Sequence, residues 1–541
     1  MTSNEIPQVF NMASALIDRQ VAEGRGDRVA VRFRGREISY RALQQAANRA
    51  GHALLRLGIQ RENRVAVLLP DCPEFLASFL GAMKAGAVPI PINTLSGPDE
   101  YRYYLEDSRA TGLVVDGDVW PKIAPNRDAL RHLRVILYLG DGTVPPGTTS
   151  FQEARAASPA ELECAETSRD EPSYWLYSSG TTGRPKGVVH LHRDMLSCAS
   201  IYARHVLALR PDDVTFSASR LFFSYGLNNS LYLPLLGGAS VLLSSERPAP
   251  APVLELLEAE RPTLFFAVPT FYAALLQEIE RLDRPPDLGF VRLAVSAGEA
   301  LPAPLYERWV TTTGIELLDG LGSTEAGYIY TSNRPGRVRP GSSGELLPGY
   351  EARLLDERGH EAPPGEIGDL FVKGASTAAR YWNKRSQSAC TFLGEWLRTG
   401  DKYTRDEEGF YYYCGRADDL MRVSSQWVAP MEVEAALLAH PAVVECAVVG
   451  CPDEAGLERP KAFVVARPGQ SSQTLAAELG EFAAGRLARF KVPRWIELVE
   501  ELPKTATGKI QRFKLRSQGG RGPGPRGQGS GVGVAGQGAK R

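Results

Sequence analysis

The chain of 541 residues balances 62 basic against 63 acidic side chains, and a net charge of -1 offers no electrostatic footprint for nucleic acid or an anionic membrane. Its seven cysteines are scattered without CxxC spacing and with few histidines beside them, which argues against a zinc module or a disulfide framework and suits a reducing cytosol. Residues 1–20 lack the basic start and apolar core of a secretory signal, and no apolar run is long enough to span a bilayer; a cytoplasmic protein with more than one hydrophobic core is expected.

In chain order, "RVAVLLP" (64–70) reads as a strand, "CPEFLASFLGAMKAG" (72–86) as a helix and "AVPIPIN" (87–93) as the next strand. "YWLYSS" (174–179) is a strand running into a glycine-rich loop, and "VVHLHRDMLSCASIYARH" is a strand turning into a helix. "ASVLLSS" (239–245), "PTLFFAVP" (262–269) and "VRLAVSAGE" (291–299) are apolar strands, each followed by helix-compatible sequence. That alternation predicts an α/β domain of mainly parallel, buried sheets over residues 1–416. From about 340 to 416 short strands separated by turns predict a small antiparallel β subdomain. Residues 417–516 read helix, strand, strand, helix and form a separate, mobile α+β domain. The tail 517–541 is glycine-rich with no acidic residue; such a segment buries no core and is expected to be disordered.

The loop "YSSGTTGRPKGVVH" (177–190) is the strongest chemical signal. Ordering so many glycines costs backbone entropy, so a run of this kind marks a turn, a linker or an anion cradle. Backbone N–H groups and hydroxyls of Ser178, Ser179, Gly180, Thr181, Thr182 and Gly183 suit phosphate oxygens, and Lys186 adds a mobile positive charge. Gly187 stands where a Walker A loop needs Ser or Thr, which weakens a kinase or motor reading.

Further motifs follow in order: "SAGEALP" (296–302), "DGLGSTEAG" (319–327), "EWLRTGD" (395–401), "YCGRADDLMRVSSQWVAPMEVE" (413–434) and "PKTATGKIQR" (503–512). Together with the loop they resemble the adenylate-forming superfamily of acyl- and aryl-CoA ligases, luciferases and peptide-synthetase adenylation domains, from roughly residue 10 to 516. The resemblance implies an adenine-side segment at Ser296, Ala297, Gly298 and Glu299, with Asp319 and Gly320 alongside. It implies phosphate and Mg²⁺ contacts from Thr324 and Glu325, and ribose hydroxyls held by Asp401. Arg416 and the pivot Asp418 belong to its interdomain hinge, and Lys509 is its catalytic lysine. A carboxylate can accept from both vicinal ribose hydroxyls, and a hard cation takes oxygen ligands, so these residue types fit their roles. Taken singly, each has a plainer use: Asp401 could close a turn, Glu325 could serve the first turn of a helix, and Lys509 could be a solvated surface lysine.

The implied reaction takes ATP, Mg²⁺ and a carboxylic acid to an acyl-adenylate and pyrophosphate, then passes the acyl group to CoA as a thioester. "SRLFFSYGLNNSLYLPLLGGA" (219–239) and "LGSTEAGYIYTSNRPG" (321–336) look most like the benzoate–CoA ligase subgroup. That likeness makes Phe223 a gating aromatic and places Ser224, Tyr225, Leu321, Gly322 and Tyr328 around an aromatic ring. Ser224 stands where amino-acid adenylation domains place aspartate, which argues against an α-amino acid substrate. Benzoate ligases usually show alanine at the Ser224 position and histidine at the Tyr328 position, and a buried hydroxyl needs a partner. An amino- or hydroxy-substituted benzoate, such as anthranilate or a hydroxybenzoate, is therefore expected. Around Ser424 and Ser425 the family hinge usually has a glycine at the latter position, where pantetheine passes the backbone. A second reading loads the pantetheine of a carrier protein instead of free CoA; a third is a silent nucleotide-binding scaffold. A homodimer stands among the partner expectations.

Overall fold

Strand runs that are apolar without alternation belong to sheets covered on both faces, and here they build two of them. In the computed structural model, which describes residues 6–178, 184–416, 419–423, 426–453, 457–467, 469–470, 474–504 and 510–518, Arg64–Leu68 and Leu264–Ala267 lie in the interior of parallel arrays. Two units divide inside the Tyr411–Arg416 strand: Met1–Tyr413 and Cys414–Arg541.

In the first unit a nine-stranded sheet has six parallel strands at its centre. They run Leu317–Gly322, Leu293–Ala297, Leu264–Ala267, Val214–Ser217, Ser240–Leu243 and Val29–Phe33 across the sheet, with antiparallel strands at both edges. A second sheet is parallel throughout, ordered Val88–Pro91, Arg64–Leu68, Gly112–Asp116, Val135–Leu139, Thr149–Ser150. Helices Tyr40–Arg56 and Pro73–Lys84 pack backbone to backbone at Gly51 and Gly81, where a Cβ on Gly81 would stand 2.5 Å from the Ala47 carbonyl oxygen. Proline at the first turn starts the Pro73–Lys84 helix and Gly86, at φ 77°, follows its end.

The predicted antiparallel region is present: Tyr350–Leu355, Gly368–Gly374, Trp396–Arg405 and Phe392–Leu393 pair in that order. A short third sheet sets Arg380–Tyr381 and Pro172–Ser178 on either side of Lys186–Leu191. The segment from Gly374 to Trp382 laces these parts together, through Ser376 Oγ to Ala326 O (2.7 Å), Ala378 N to Glu325 O (2.8 Å) and Trp382 N to Gly187 O (2.8 Å).

The second unit pairs Val443–Pro452 antiparallel with Glu458–Ala466, which is parallel to Trp495–Leu498. Helices Pro430–Leu438 and Leu475–Ala484 cover a core that includes Val433, Leu437, Val448, Val464 and Leu479. Residues 519–541 of the tail lie outside the described residues. Among the described residues no helix is long and apolar enough to cross a membrane.

Candidate active site

Antiparallel pairing sets Ser178 directly opposite Lys186, so both ends of the glycine-rich loop are fixed side by side. Ser179, Gly180, Thr181, Thr182 and Gly183 lie outside the described residues. Across the site, Glu325 Oε1 accepts from Ser178 Oγ at 3.1 Å and from the Tyr381 hydroxyl at 2.9 Å. Lys186 Nζ stands 4.6 Å from the centre of the same tyrosine ring. Three residues predicted from the sequence are thus gathered around one that was not, Tyr381. No local pattern in "ARYWN" marks it, because the two-residue strand Arg380–Tyr381 reaches the site only through long-range pairing.

Glu325 lies in a turn between the strands Leu317–Gly322 and Ile329–Ser332, so no helix follows for its carboxylate to cap. Behind the turn, His190 Nε2 is 2.7 Å from the Thr324 carbonyl oxygen and His190 Nδ1 is 3.1 Å from Asp194 Oδ2. A carbonyl only accepts, so Nε2 carries a proton and donates. Leu191 N donates to the same Asp194 oxygen at 2.8 Å, and Tyr174 stacks on the imidazole at 5.0 Å and 10°. Both side chains are buried, and burial raises the Asp194 carboxyl above its usual range. His192, two residues on, does something else: its Nδ1 accepts from Met12 N, and burial pulls it down to about 4, leaving it neutral. His190 and Asp194 are not among the site residues named above; the signal that marks them is a His and an Asp four apart at a strand-to-helix junction.

His190 is expected to act by holding the Thr324–Glu325 turn in place. His190→Ala should lower kcat/KM for ATP by about 10- to 100-fold, the usual effect of losing an outer-layer partner. His190→Gln, whose amide can still donate to the carbonyl, should recover part of that loss. Steady-state kinetics beside a melting curve decide the matter: a loss explained wholly by unfolding, or no recovery with Gln, rejects the role.

The adenine-side segments lie in adjacent parallel strands whose register pairs Ser296 with Asp319 and Ala297 with Gly320. Gly298 follows at φ 92°, a left-handed conformation that ends the strand, and Glu299 Oε2 accepts from Thr270 N at 3.3 Å. Asp319 is buried beside Ser296, its neighbour across the two strands, and burial raises its carboxyl well above the ordinary range. Asp401 is also buried, on the antiparallel sheet, after Gly400 at φ 77°.

The predicted ring-binding residues are brought together. Phe223, in an extended conformation after a turn, caps the Ser224–Leu227 helix that Ser224 begins. Gly226 is required there, since a Cβ would fall 2.0 Å from the Arg220 carbonyl oxygen. Tyr225 and Tyr328 face each other nearly parallel at 6.2 Å, and Tyr202 meets Tyr328 edge-on at 5.0 Å. Leu321 and Gly322 end the strand that leads into the Glu325 turn. One inference from the sequence is corrected: Ser224 does not need a substrate for a partner, because its Oγ donates to Gly327 O at 2.7 Å. Tyr328 is likewise satisfied, by Asn229 Oδ1 at 2.5 Å.

Arg416 belongs to the second unit, and Asp418, Ser424, Ser425 and Lys509 lie outside the described residues. The base of the Lys509 loop is described: Lys504 and Ile510 form an antiparallel bridge and Gln511 N donates to Pro503 O at 2.8 Å. Among the described residues no group of three or more His, Cys, Asp or Glu side chains could hold a metal ion. A Mg²⁺ carried in on phosphates needs only one or two carboxylates, and Glu325 fits that use.

Residues 17–382 match the family model described as AMP-binding enzyme, and residues 432–509 match that of the AMP-binding enzyme C-terminal domain. A benzoate–CoA ligase from Thauera aromatica is 45% identical over 518 residues, covering 95% of this chain and 97% of its own. A 4-hydroxybenzoate–CoA/benzoate–CoA ligase from Rhodopseudomonas palustris is 44% identical, covering 94% of each. The crystal structure of the anthranilate CoA ligase AuaEII in complex with anthranoyl-AMP superposes with a TM-score of 0.91 at 42% identity, covering 96% of this chain and 99% of that one.

Proposed function

Because this chain belongs to the AMP-binding enzyme family, matched in both its large and its C-terminal parts, we propose that it is an ATP-dependent aryl-CoA ligase acting on benzoate-type acids in the cytoplasm. It is an acid–thiol ligase by relationship. The observation that carries the aromatic substrate is the continuity of the segment from Leu321 to Tyr328. Within it the chain passes from the turn bearing Thr324 and Glu325 to the tyrosine facing Tyr225. A ring against Tyr225 and Tyr328 would present its carboxylate toward the phosphate side. Flat aromatic side chains stack on such a ring at small entropic cost.

In the first half-reaction a carboxylate oxygen attacks the α-phosphorus of ATP; the bond to the β-phosphate oxygen breaks and pyrophosphate leaves. Such a transfer asks protein groups mainly for position and charge. Lys186 and the loop it closes would hold the departing phosphates, with Thr324 on the same side. Ser296, Ala297, Gly298, Glu299, Asp319 and Gly320 would take the base, and Asp401 the ribose hydroxyls. Mg²⁺, held by Glu325 and the phosphates, would supply positive charge against the phosphate oxygens. Lys509 would bridge carboxylate and α-phosphate. In the second half the CoA thiolate attacks the adenylate carbonyl and AMP leaves; by the family resemblance Arg416 and Asp418 would serve the hinge, and Ser424 and Ser425 the pantetheine path.

Pyrophosphate release over benzoates and medium-chain fatty acids, with and without CoA, tests this reading. Release with an aromatic acid followed by an aryl-CoA product is the expected result. Pyrophosphate without thioester would move the acceptor to a carrier protein. Turnover of aliphatic acids alone would reject the aromatic pocket.

A further inference from the structure

The two stems of the glycine-rich loop, at Ser178 and Lys186, are both fastened to one helix. Pro98–Asp107 begins on proline, with Glu100 taking the Gly97 N–H at 3.0 Å, and residues four apart on it share a face. On that face the Tyr103 hydroxyl donates to the Pro185 carbonyl at 2.7 Å, one residue before Lys186. Asp107, four residues on, takes the Tyr177 hydroxyl on Oδ2 at 2.9 Å, one residue before Ser178. Between them Tyr104 sets its ring 4.7 Å from that of Tyr177.

A carboxylate only accepts, so the Tyr177 phenol gives its proton to Asp107. Burial first, and then the Asp107 charge, raise that phenol far above its ordinary range, and the proton stays in place. Asp107 has a second set of partners. Its Oδ1 lies 3.8 Å from Lys384 Nζ, and its backbone carbonyl accepts from the Trp382 indole at 2.9 Å. Both follow Tyr381, which pairs opposite Val188 and donates to Glu325 Oε1 at 2.9 Å. Trp382 is tied to the loop's outgoing strand as well, its N donating to the Gly187 carbonyl at 2.8 Å. Asp107 thus touches the strand that carries Ser178 and the segment that carries Tyr381. With 13% of its side chain exposed, it holds these partners in place of most of its water.

We propose that Asp107 is a positioning residue for the phosphate side of the site: it fastens the Ser178 stem and the Tyr381–Lys384 segment to one point, and so sets how Ser178 and Lys186 stand against Tyr381 and Glu325. This rests on the reading of the loop as the holder of the phosphates that leave. Electrostatic stabilisation requires groups fixed before the reaction, and a displacement of about 1 Å arising far from the chemistry can cost about 100-fold. The residues assigned to adenine and ribose stand on or beside other strands, Leu293–Ala297, Leu317–Gly322 and Trp396–Arg405. Loss of the tie is therefore felt by the phosphates that AMP lacks, and little by the part of the nucleotide that AMP shares with ATP.

The test is equilibrium binding of ATP with Mg²⁺, and of AMP, to the full chain by calorimetry without acid or CoA, beside a melting curve. Asp107→Ala should weaken ATP by about tenfold or more while AMP stays within about threefold of wild type. Tyr177→Phe, which removes one bond and no charge, should move ATP in the same direction by less. Asp107→Asn keeps an oxygen for the Tyr177 hydroxyl and should recover part of the loss. Asp107→Ala combined with Tyr177→Phe should cost little more than Asp107→Ala alone, because both break one tie. ATP and AMP weakened equally, ATP unchanged, no recovery with asparagine, or fully additive losses would each overturn the proposal. Should Asp107→Ala not fold, Tyr177→Phe decides by the same comparison of ATP with AMP. Wild-type ATP binding that Lys186→Ala leaves unchanged would instead reject the reading of the loop beneath it.

Discussion

Glu325→Gln is expected to lower kcat/KM for adenylate formation by about 100- to 1000-fold, the scale of losing one well-placed electrostatic group, with little change in melting temperature. Glutamine is the informative replacement because it keeps the shape and the acceptor. Its carbonyl oxygen can still receive Ser178 Oγ and the Tyr381 hydroxyl, which meet Glu325 Oε1 at 3.1 and 2.9 Å. The backbone of the turn is held independently, by Ala378 N on the Glu325 carbonyl and by His190 on that of Thr324. What disappears is one negative charge next to Ser178 and Tyr381, the latter under Lys186 Nζ. A residue that merely closed the turn would tolerate this exchange, and a large loss without unfolding separates the two roles. The loss should be accompanied by a higher Mg²⁺ requirement, read from a titration of rate against Mg²⁺. Activity within about threefold of wild type at ordinary Mg²⁺ would remove Glu325 from the site.

The polar chemistry at this position was more legible in the sequence than its mounting. Glu325, Lys186 and Ser178 stand in motifs, and motif spacing is local information. Tyr381 and His190 act through contacts made 56 and 134 residues away along the chain, which spacing alone does not reveal. The parallel core was legible for a different reason. Strands such as Leu264–Ala267 are buried on both faces, so their sequence is apolar without interruption. Edges were less so: the Glu458–Ala466 strand opens on Glu458 and Arg459, because pairing with Pro452 and Cys451 extends it past its apolar run. Ser224 shows the limit of reasoning from residue type. A hydroxyl in an aromatic stretch was correctly read as needing a partner, yet the partner is a backbone carbonyl brought in from Gly327 by the sheet.

Lys509→Ala is expected to reduce adenylate formation by about 100-fold or more while leaving CoA attack on supplied aryl-adenylate within about threefold of wild type. In the first half-reaction two anions, the carboxylate and the α-phosphate, must approach, and a cation between them lowers the barrier. In the second, the acyl carbon is already activated and the nucleophile comes from CoA. A nearby lysine supplies the control. Lys504 pairs with Glu445 at 2.6 Å, and its backbone bridges to Ile510 at the base of the same loop. Lys504→Ala removes a partly exposed ion pair and should change either rate by less than about threefold. Arg512, just beyond the loop, is held by both Glu434 oxygens at 2.8 and 2.9 Å, so the loop's C-terminal base stays anchored in either variant. Single-turnover pyrophosphate release and thioester formation from synthetic aryl-adenylate measure the halves separately. Equal losses in both halves would make Lys509 a general binding residue; equal losses from Lys504 and Lys509 would reduce the effect to the charge of the loop as a whole.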